Sequence, residues 1–346
     1  MGKQTGSGGS VTAGPLANLR ERTFQILADA VGESEDVALV DFPNHQNSGD
    51  SLIWSGELQY LRGLGKSVGY VADISRYRPE DLRQQVPEGA ILIHGGGNFG
   101  DRWPQMQEFH EKVVSDFPDR RIVQLPQTID FSCPSSLSRA QRVYSAHENL
   151  TLLIRDNDGA ATTSDLFVSN DVQFCPDMAF GAQQLMERVC EPSVDILFLR
   201  RGDCESILDG EDVAVPSQIS YRVADWGLRG RQSALWKALH VPGAIAKRSG
   251  LARKSMYPIT SRMFHRMAEL NISNAAATLS AGRVVMTDRL HAAVMCALMD
   301  IPVVALNNAN GKVAAIYRDY LGAFPAVSIA DSVEQGMQEC LRLLDI

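Results

Sequence analysis

The sequence predicts an α/β protein built from two doubly wound domains that face each other across a cleft. Three observations carry that prediction. From Val37 onward, short apolar runs alternate with longer amphipathic ones. The alternation lapses in a polar stretch around Glu187 to Pro192 and restarts at Val194. A length of 346 residues is also enough for two domains of ordinary size. The expected division is a Gly/Ser-rich leader over 1–14, an N-terminal domain over 15–190 and a C-terminal domain over 191–346.

In the first domain, strands are expected at Val37 to Asp41, Ser67 to Val71, Ala90 to His94, Arg121 to Leu125 and Thr151 to Arg155, because each is a short β-branched or apolar run bounded by turn residues. Helices are expected between them at Ser51 to Leu64, Pro79 to Gln85, Pro104 to Asp116, Ser136 to Ala146 and Asn157 to Ser164. The second domain opens with a strand at Val194 to Leu199. Gly202 to Leu251, with Pro, Gly and mixed charge, reads as loops and short helices. A long helix (Thr260 to Ser280), a strand (Arg283 to Met286), a helix (Arg289 to Met299), a strand (Pro302 to Leu306) and helical stretches near Ala314 and Val333 complete it.

The net charge of −8 argues against a nucleic-acid partner and promises little attraction to anionic lipid. No apolar run approaches the roughly 20 residues that span a bilayer. The six cysteines show no C-x-x-C pair and no metal-ligand spacing, so they are expected as free thiols of a cytoplasmic protein, with no metal and no redox cofactor.

Ile91 to Asp101 is the most informative stretch: an apolar strand breaks into His94-Gly95-Gly96-Gly97-Asn98-Phe99-Gly100, where missing side chains are expected to turn backbone N–H groups toward a phosphate or carboxylate. The glycines also fit G-x-G-x-x-G, but this is the third expected strand, and the next one ends in Pro126-Gln127-Thr128 without the acid a dinucleotide ribose needs. Gly65 to Gly69 spells G-x-S-x-G, yet it enters a strand instead of leaving one for a helix, which speaks against a hydrolase elbow.

Asn47-Ser48-Gly49-Asp50 follows the first strand at the sheet edge where such folds bind ligands, with Ser48 or Asp50 equally readable as a helix cap and His45 beside them. Thr287-Asp288-Arg289-Leu290-His291 places two cationic side chains in the first turn of a helix expected to be capped by Asp288. The helix dipole disfavours them there by a few tenths of a kcal/mol, and a bound anion reverses that cost. Arg289 suits bidentate pairing to phosphate or carboxylate, unless a nearby acid takes it, and His291 offers an imidazole, the side chain most used for proton transfer. Of Arg200 and Arg201, one is expected to reach the cleft and the other to pair with Asp203 or Glu205, because neighbouring strand residues point to opposite faces. His94 and Asp101 flank the glycine stretch as acid/base or hydroxyl-binding candidates. Trp103 and Tyr60 are candidates for stacking on a sugar, although aromatic residues at helical positions more often serve the core.

Taken in order, Leu39 to His45 with Asn47 to Asp50, His94 to Asp101 with Trp103, Leu125 to Thr128, Arg155-Asp156 and Thr287 to His291 resemble the polysaccharide pyruvyl transferase family, especially its bacterial exopolysaccharide members. The resemblance implies a GT-B-like fold and transfer of pyruvate from phosphoenolpyruvate to a sugar as a ketal. It implies that Arg289, Leu290 and His291 form the donor-binding and catalytic segment and that Arg200 or Arg201 is a second donor contact. Gly95, Gly96, Gly97 and Asn98 join the expected donor side; His45, Asn47, Asp101 and Trp103 the acceptor side. His291 is the expected principal acid/base, with Asp50 or His94 positioning a glycan or lipid-linked acceptor. A lipid-linked acceptor would bring the protein transiently to the inner face of the membrane. Two other readings fit the same residues: a GT-B glycosyltransferase with a nucleotide-sugar donor, and a non-catalytic sugar-phosphate-binding regulator.

Overall fold

A computed structural model describes residues 14–182, 187–202, 215–246, 249–307 and 311–345. Helix α1 (Pro15–Val31) buries Leu19, Leu27 and Val31. Seven strands follow: β1 (Asp36–Val40), β2 (Ser67–Ala72), β3 (Ile91–Ile93), β4 (Gly96–Gly100), β5 (Ile122–Asp130), β6 (Leu150–Ile154) and β7 (Asp171–Phe174). They form a parallel sheet in the order β2-β1-β3-β5-β6-β7, with β4 beside the second half of β5. Helices α2 (Ser48–Gly63), α3 (Pro79–Gln85), α4 (Pro104–Asp116), α5 (Pro134–Ser145) and α6 (Asn157–Leu166) connect them.

A second parallel sheet takes the order β12-β11-β10-β8-β9. Its strands are β8 (Val194–Leu199), β9 (Tyr221–Ala224), β10 (Gly282–Thr287), β11 (Val303–Leu306) and β12 (Val327–Ala330). Helices α7 (Gly230–Leu239), α8 (Val241–Ala246), α9 (Gly250–Ser280), α10 (Leu290–Leu298), α11 (Lys312–Asp319) and α12 (Val333–Leu343) belong to this half. Both sheets reverse their winding once, the first between β1 and β3 and the second between β8 and β10. Loops diverge at such points and leave a crevice.

One apolar cluster runs from sheet to sheet. It holds Leu39 and Leu92 of the first, Leu197 and Val285 of the second, and Trp54 of α2 and Phe264 of α9 between them. Phe42 and Phe264 stack with centroids 4.2 Å apart. Among the described residues no helix is long and apolar enough to cross a membrane.

Several expectations need correction. The glycine stretch is strand β4, not a loop opening a helix; α4 starts at Pro104. Gly100 needs its missing side chain for that pairing: its φ is +146°, and a Cβ would lie 1.9 Å from the Asp130 carbonyl oxygen. Residues 126–128, expected after the fourth strand, lie inside β5. The irregular region contains an edge strand, β9, besides its short helices, and α9 begins ten residues before the expected Thr260. Pro258 does not stop that helix, because it sits on the exposed side, where water can satisfy the carbonyl that loses its N–H partner. Tyr60 is 1% exposed and belongs to the core. Of the six cysteines, Cys204 lies outside the described residues, as does most of the leader; the other five are free thiols.

Candidate active site

The two winding reversals meet at one cavity of about 440 Å³. Ten of the expected site residues line it: His45, Asn47, Asp50, Gly97, Asn98, Trp103, Arg201, Arg289, Leu290 and His291. Met106, Arg155, Trp226 and Lys312 also line it. The lining therefore carries four Lys or Arg side chains and two histidines against one carboxylate, Asp50, in a chain whose net charge is −8.

Local chemistry explains how each side chain arrives. Asn47, not Ser48 or Asp50, caps α2, its Oδ1 accepting from the Gly49 N–H at 3.0 Å. The same amide donates to Asp50 Oδ2 at 2.7 Å, which holds that carboxylate at the cavity, 3.6 Å from His45 Nε2. On the opposite wall Arg289, not Asp288, is the capping residue of α10, so His291 falls in its first turn. The Asp288 carboxylate accepts from the Arg201 N–H at 2.9 Å and so ties the end of β8 to the end of β10. Burial pushes the Asp288 carboxyl above its usual range. The Arg289 guanidinium reaches Asp225 at 2.9 Å and lies 5.1 Å from the Trp226 ring centroid. The nearby acid expected as an alternative to ligand binding is therefore present. Asp225 is nonetheless 41% exposed, so the pair is open to water and to competition from a stronger anion.

The residue that organises the site, Asp177, was not expected. It follows β7, a short half-buried strand without a strong apolar pattern, and was missed together with that strand. Its side chain is 1% exposed, and its Oδ2 lies 2.8 Å from Arg155 Nη1 and 3.2 Å from His291 Nε2. Its Oδ1 accepts from the Ala179 N–H at 2.9 Å. Burial alone would raise this carboxyl; His291, Arg155 and the Ala179 N–H outweigh it and hold Asp177 well below the usual carboxylate range. Arg155 is fixed in turn by Thr128, whose Oγ1 accepts from Nε at 2.7 Å. The Tyr320 hydroxyl donates to the Arg155 carbonyl at 3.1 Å and accepts from the Asp177 N–H at 3.3 Å.

Gly49, within the Asn47 to Asp50 motif, also shapes the site. A Cβ there would lie 2.7 Å from His291 Nδ1 and 2.9 Å from Cγ, so the ring occupies space that only glycine leaves. Gly49→Ala is expected to displace the imidazole from Asp177 in a protein that still folds, with a loss of turnover of roughly 10²-fold if the reaction uses His291. Activity and a thermal melt on the same preparation check this.

Other expected residues stand outside the cavity. His94 is 1% exposed and pairs through Nδ1 with the fully buried Glu57 at 2.8 Å, behind the wall. Burial pushes Glu57 up; burial alone would lower His94, but the Glu57 carboxylate carries it upward. His94 therefore braces the wall and does not line the cavity. Gly95 and Gly96 do not line the cavity, and the expected anion cradle is already occupied: the N–H groups of Gly95, Asn98 and Gly100 donate to Glu57, Gln127 and Gln107. Asp101 accepts from the Ser132 and Cys133 N–H groups and holds the turn before α5. Of the paired arginines, Arg201 lines the cavity and Arg200 does not. Their expected acids, Asp203 and Glu205, lie outside the described residues.

Comparison with known proteins gives concordant matches. A family model described as polysaccharide pyruvyl transferase matches residues 47–310. Pyruvyl transferase 1 of Schizosaccharomyces pombe is 31% identical, over 88% of this chain and 75% of the relative. The putative pyruvyl transferase EpsO of Bacillus subtilis is 26% identical, over 91% of this chain and 94% of the relative. The crystal structure of a functionally uncharacterised protein from Klebsiella pneumoniae superposes with a TM-score of 0.59, over 91% of this chain and 99% of that one. At 17% identity that likeness concerns the fold.

Proposed function

Because this chain belongs to the polysaccharide pyruvyl transferase family, we propose that it transfers pyruvate from phosphoenolpyruvate to a sugar of a surface polysaccharide or its lipid-linked precursor, forming a ketal. The reading treats the molecule as a GT-B-like pair of domains, with the acceptor on the 15–190 side and the donor on the 191–346 side. The observation that carries it is the pairing of excess positive charge with an anchored imidazole in one cavity.

Phosphoenolpyruvate presents a phosphate and a carboxylate. Arg289 and Arg201 come from the ends of adjacent strands and suit such anions, with Lys312 in the same lining as a further cation. Protonation of the donor's methylene carbon makes the neighbouring carbon electrophilic. One sugar hydroxyl adds there, phosphate departs, and a second hydroxyl closes the ketal. Of the two hydroxyl protons released, one balances the proton now on the methyl group and the other leaves with phosphate. His291 is the group able to give and take these protons, and Asp177 fixes its orientation through Nε2. Asp50, Asn47 and His45 face it from the other wall as hydroxyl-binding groups, with Trp103, 47% exposed, as a platform for a sugar ring.

Incubation with phosphoenolpyruvate and a panel of free and lipid-linked glycans tests the reading. Phosphate release that requires both substrates, with a ketal on the acceptor by mass spectrometry, is the expected result. Release of nucleotide from UDP- or GDP-sugars, with none from phosphoenolpyruvate, would contradict it.

A further inference from the structure

The charge of this acidic chain is unevenly distributed. Between Trp226 and Ala268 there are nine Lys and Arg and no Asp or Glu, so the net −8 is +9 in this segment and −17 elsewhere. The segment forms β9's exit, α7, α8 and the first half of α9. Within it Leu235, Val241, Ile245, Leu251 and Ile259 are 38–82% exposed, half of the exposed large apolar side chains among the described residues. On α9 the exposed positions Leu251, Lys254, Ile259, Arg262 and Arg266 recur at three- to five-residue spacing, which makes one stripe of apolar and basic character, with Arg266 also paired to Glu269 at 2.9 Å at its end.

We propose that the outer side of this α7–α8–α9 layer docks onto an anionic lipid bilayer, the apolar tips entering the headgroup region and the Lys and Arg side chains meeting lipid phosphates. Charge favours this occupant over a second copy of the chain, since a two-fold contact would set the exposed Arg231, Lys237, Lys254, Arg262 and Arg266 against their own copies. The layer also adjoins the cavity: Trp226, at its start, lines that cavity, and His240 Nε2 lies 2.7 Å from Asn44 Oδ1, one residue from the cavity-lining His45. Docking would therefore hold the cavity near the lipid interface. That consequence matters for a lipid-linked acceptor and rests on the proposed pyruvyl transfer; the docking itself does not.

The test is co-sedimentation of the full chain with vesicles of phosphatidylcholine alone and of phosphatidylcholine mixed with phosphatidylglycerol. Binding is expected to the mixed vesicles, to fall with salt, and to drop by ~10-fold or more in Arg262→Glu/Arg266→Glu, since each basic residue near an anionic surface contributes comparably. Leu251→Ser/Ile259→Ser should weaken it independently. Both double variants change exposed residues, and unchanged melting and phosphoenolpyruvate binding would separate failed docking from failed folding or a failed donor site. Equal binding to both vesicle types, no binding to either, binding insensitive to the charge reversal, or a dimer broken by Leu251→Ser/Ile259→Ser would each overturn the proposal.

Discussion

His291→Ala should lower turnover by about 10²–10⁴-fold, the usual worth of a positioned general acid or base, while leaving the fold intact. The imidazole sits in the first turn of α10 with 13% of its side chain exposed, Nε2 against Asp177 and its other edge over Gly49. Truncation removes one hydrogen bond to a charged group, worth about 1–3 kcal/mol, and leaves Asp177 still paired with Arg155. Phosphoenolpyruvate should bind the variant nearly as well as the parent, because the expected donor contacts are arginines. Single-turnover phosphate release beside a thermal melt separates the two effects, and near-normal turnover would remove His291 from the mechanism.

Asp177→Asn should produce the largest loss of stability among substitutions at the site. It strips the counter-charge from Arg155, which is 4% exposed, and a buried ion left without its partner typically costs about 3–5 kcal/mol. The pH dependence has a definite sign. Asp177 has a lower pKa folded than unfolded, so its stabilising contribution is complete above the unfolded carboxyl value of about 3.9 and is lost as pH falls toward the folded value. Urea titrations of parent and variant should accordingly differ most at neutral pH and converge as the medium becomes strongly acidic. A constant difference across that range would mean that packing, not charge, makes the residue necessary. Activity should fall as well, since the asparagine no longer carries the charge that orients His291.

The parts of this molecule most legible in the sequence are those where a local pattern and its structural cause lie close together. Val37 to Val40 and Ala90 to Ile93 are apolar runs too short for helices, and they form central strands of a parallel sheet buried on both faces. Thr287 to His291 stood out because cations at a helix start oppose its dipole, and the structure places them in the cavity. The glycine stretch misled for an equally physical reason. Glycines that permit a phosphate cradle also permit close strand pairing, and only the side-chain acceptors on Glu57, Gln127 and Gln107 decide between them. His94 was misplaced similarly, since its partner Glu57 lies 37 positions away on another element. Asp177 and Lys312 carried a weaker signal that was open to reading: an acid just past a strand, and a lysine in a first turn, at the same sheet edges as the recognised motifs. The basic surface escaped notice because the whole-chain charge hid its +9 segment.

Donor binding tests the account most directly: the melting temperature of the purified chain is measured with phosphoenolpyruvate, UDP-glucose or GDP-mannose, with Arg289→Ala as control. Phosphoenolpyruvate at a hundred times its dissociation constant should raise the parent's melting temperature by roughly 4 °C, as mass action on a chain of this size requires. The sugar nucleotides should not, and Arg289→Ala should abolish the shift. A shift with a sugar nucleotide and none with phosphoenolpyruvate, or an undiminished phosphoenolpyruvate shift in Arg289→Ala, would contradict the assignment of this cavity as a phosphoenolpyruvate site held by Arg289.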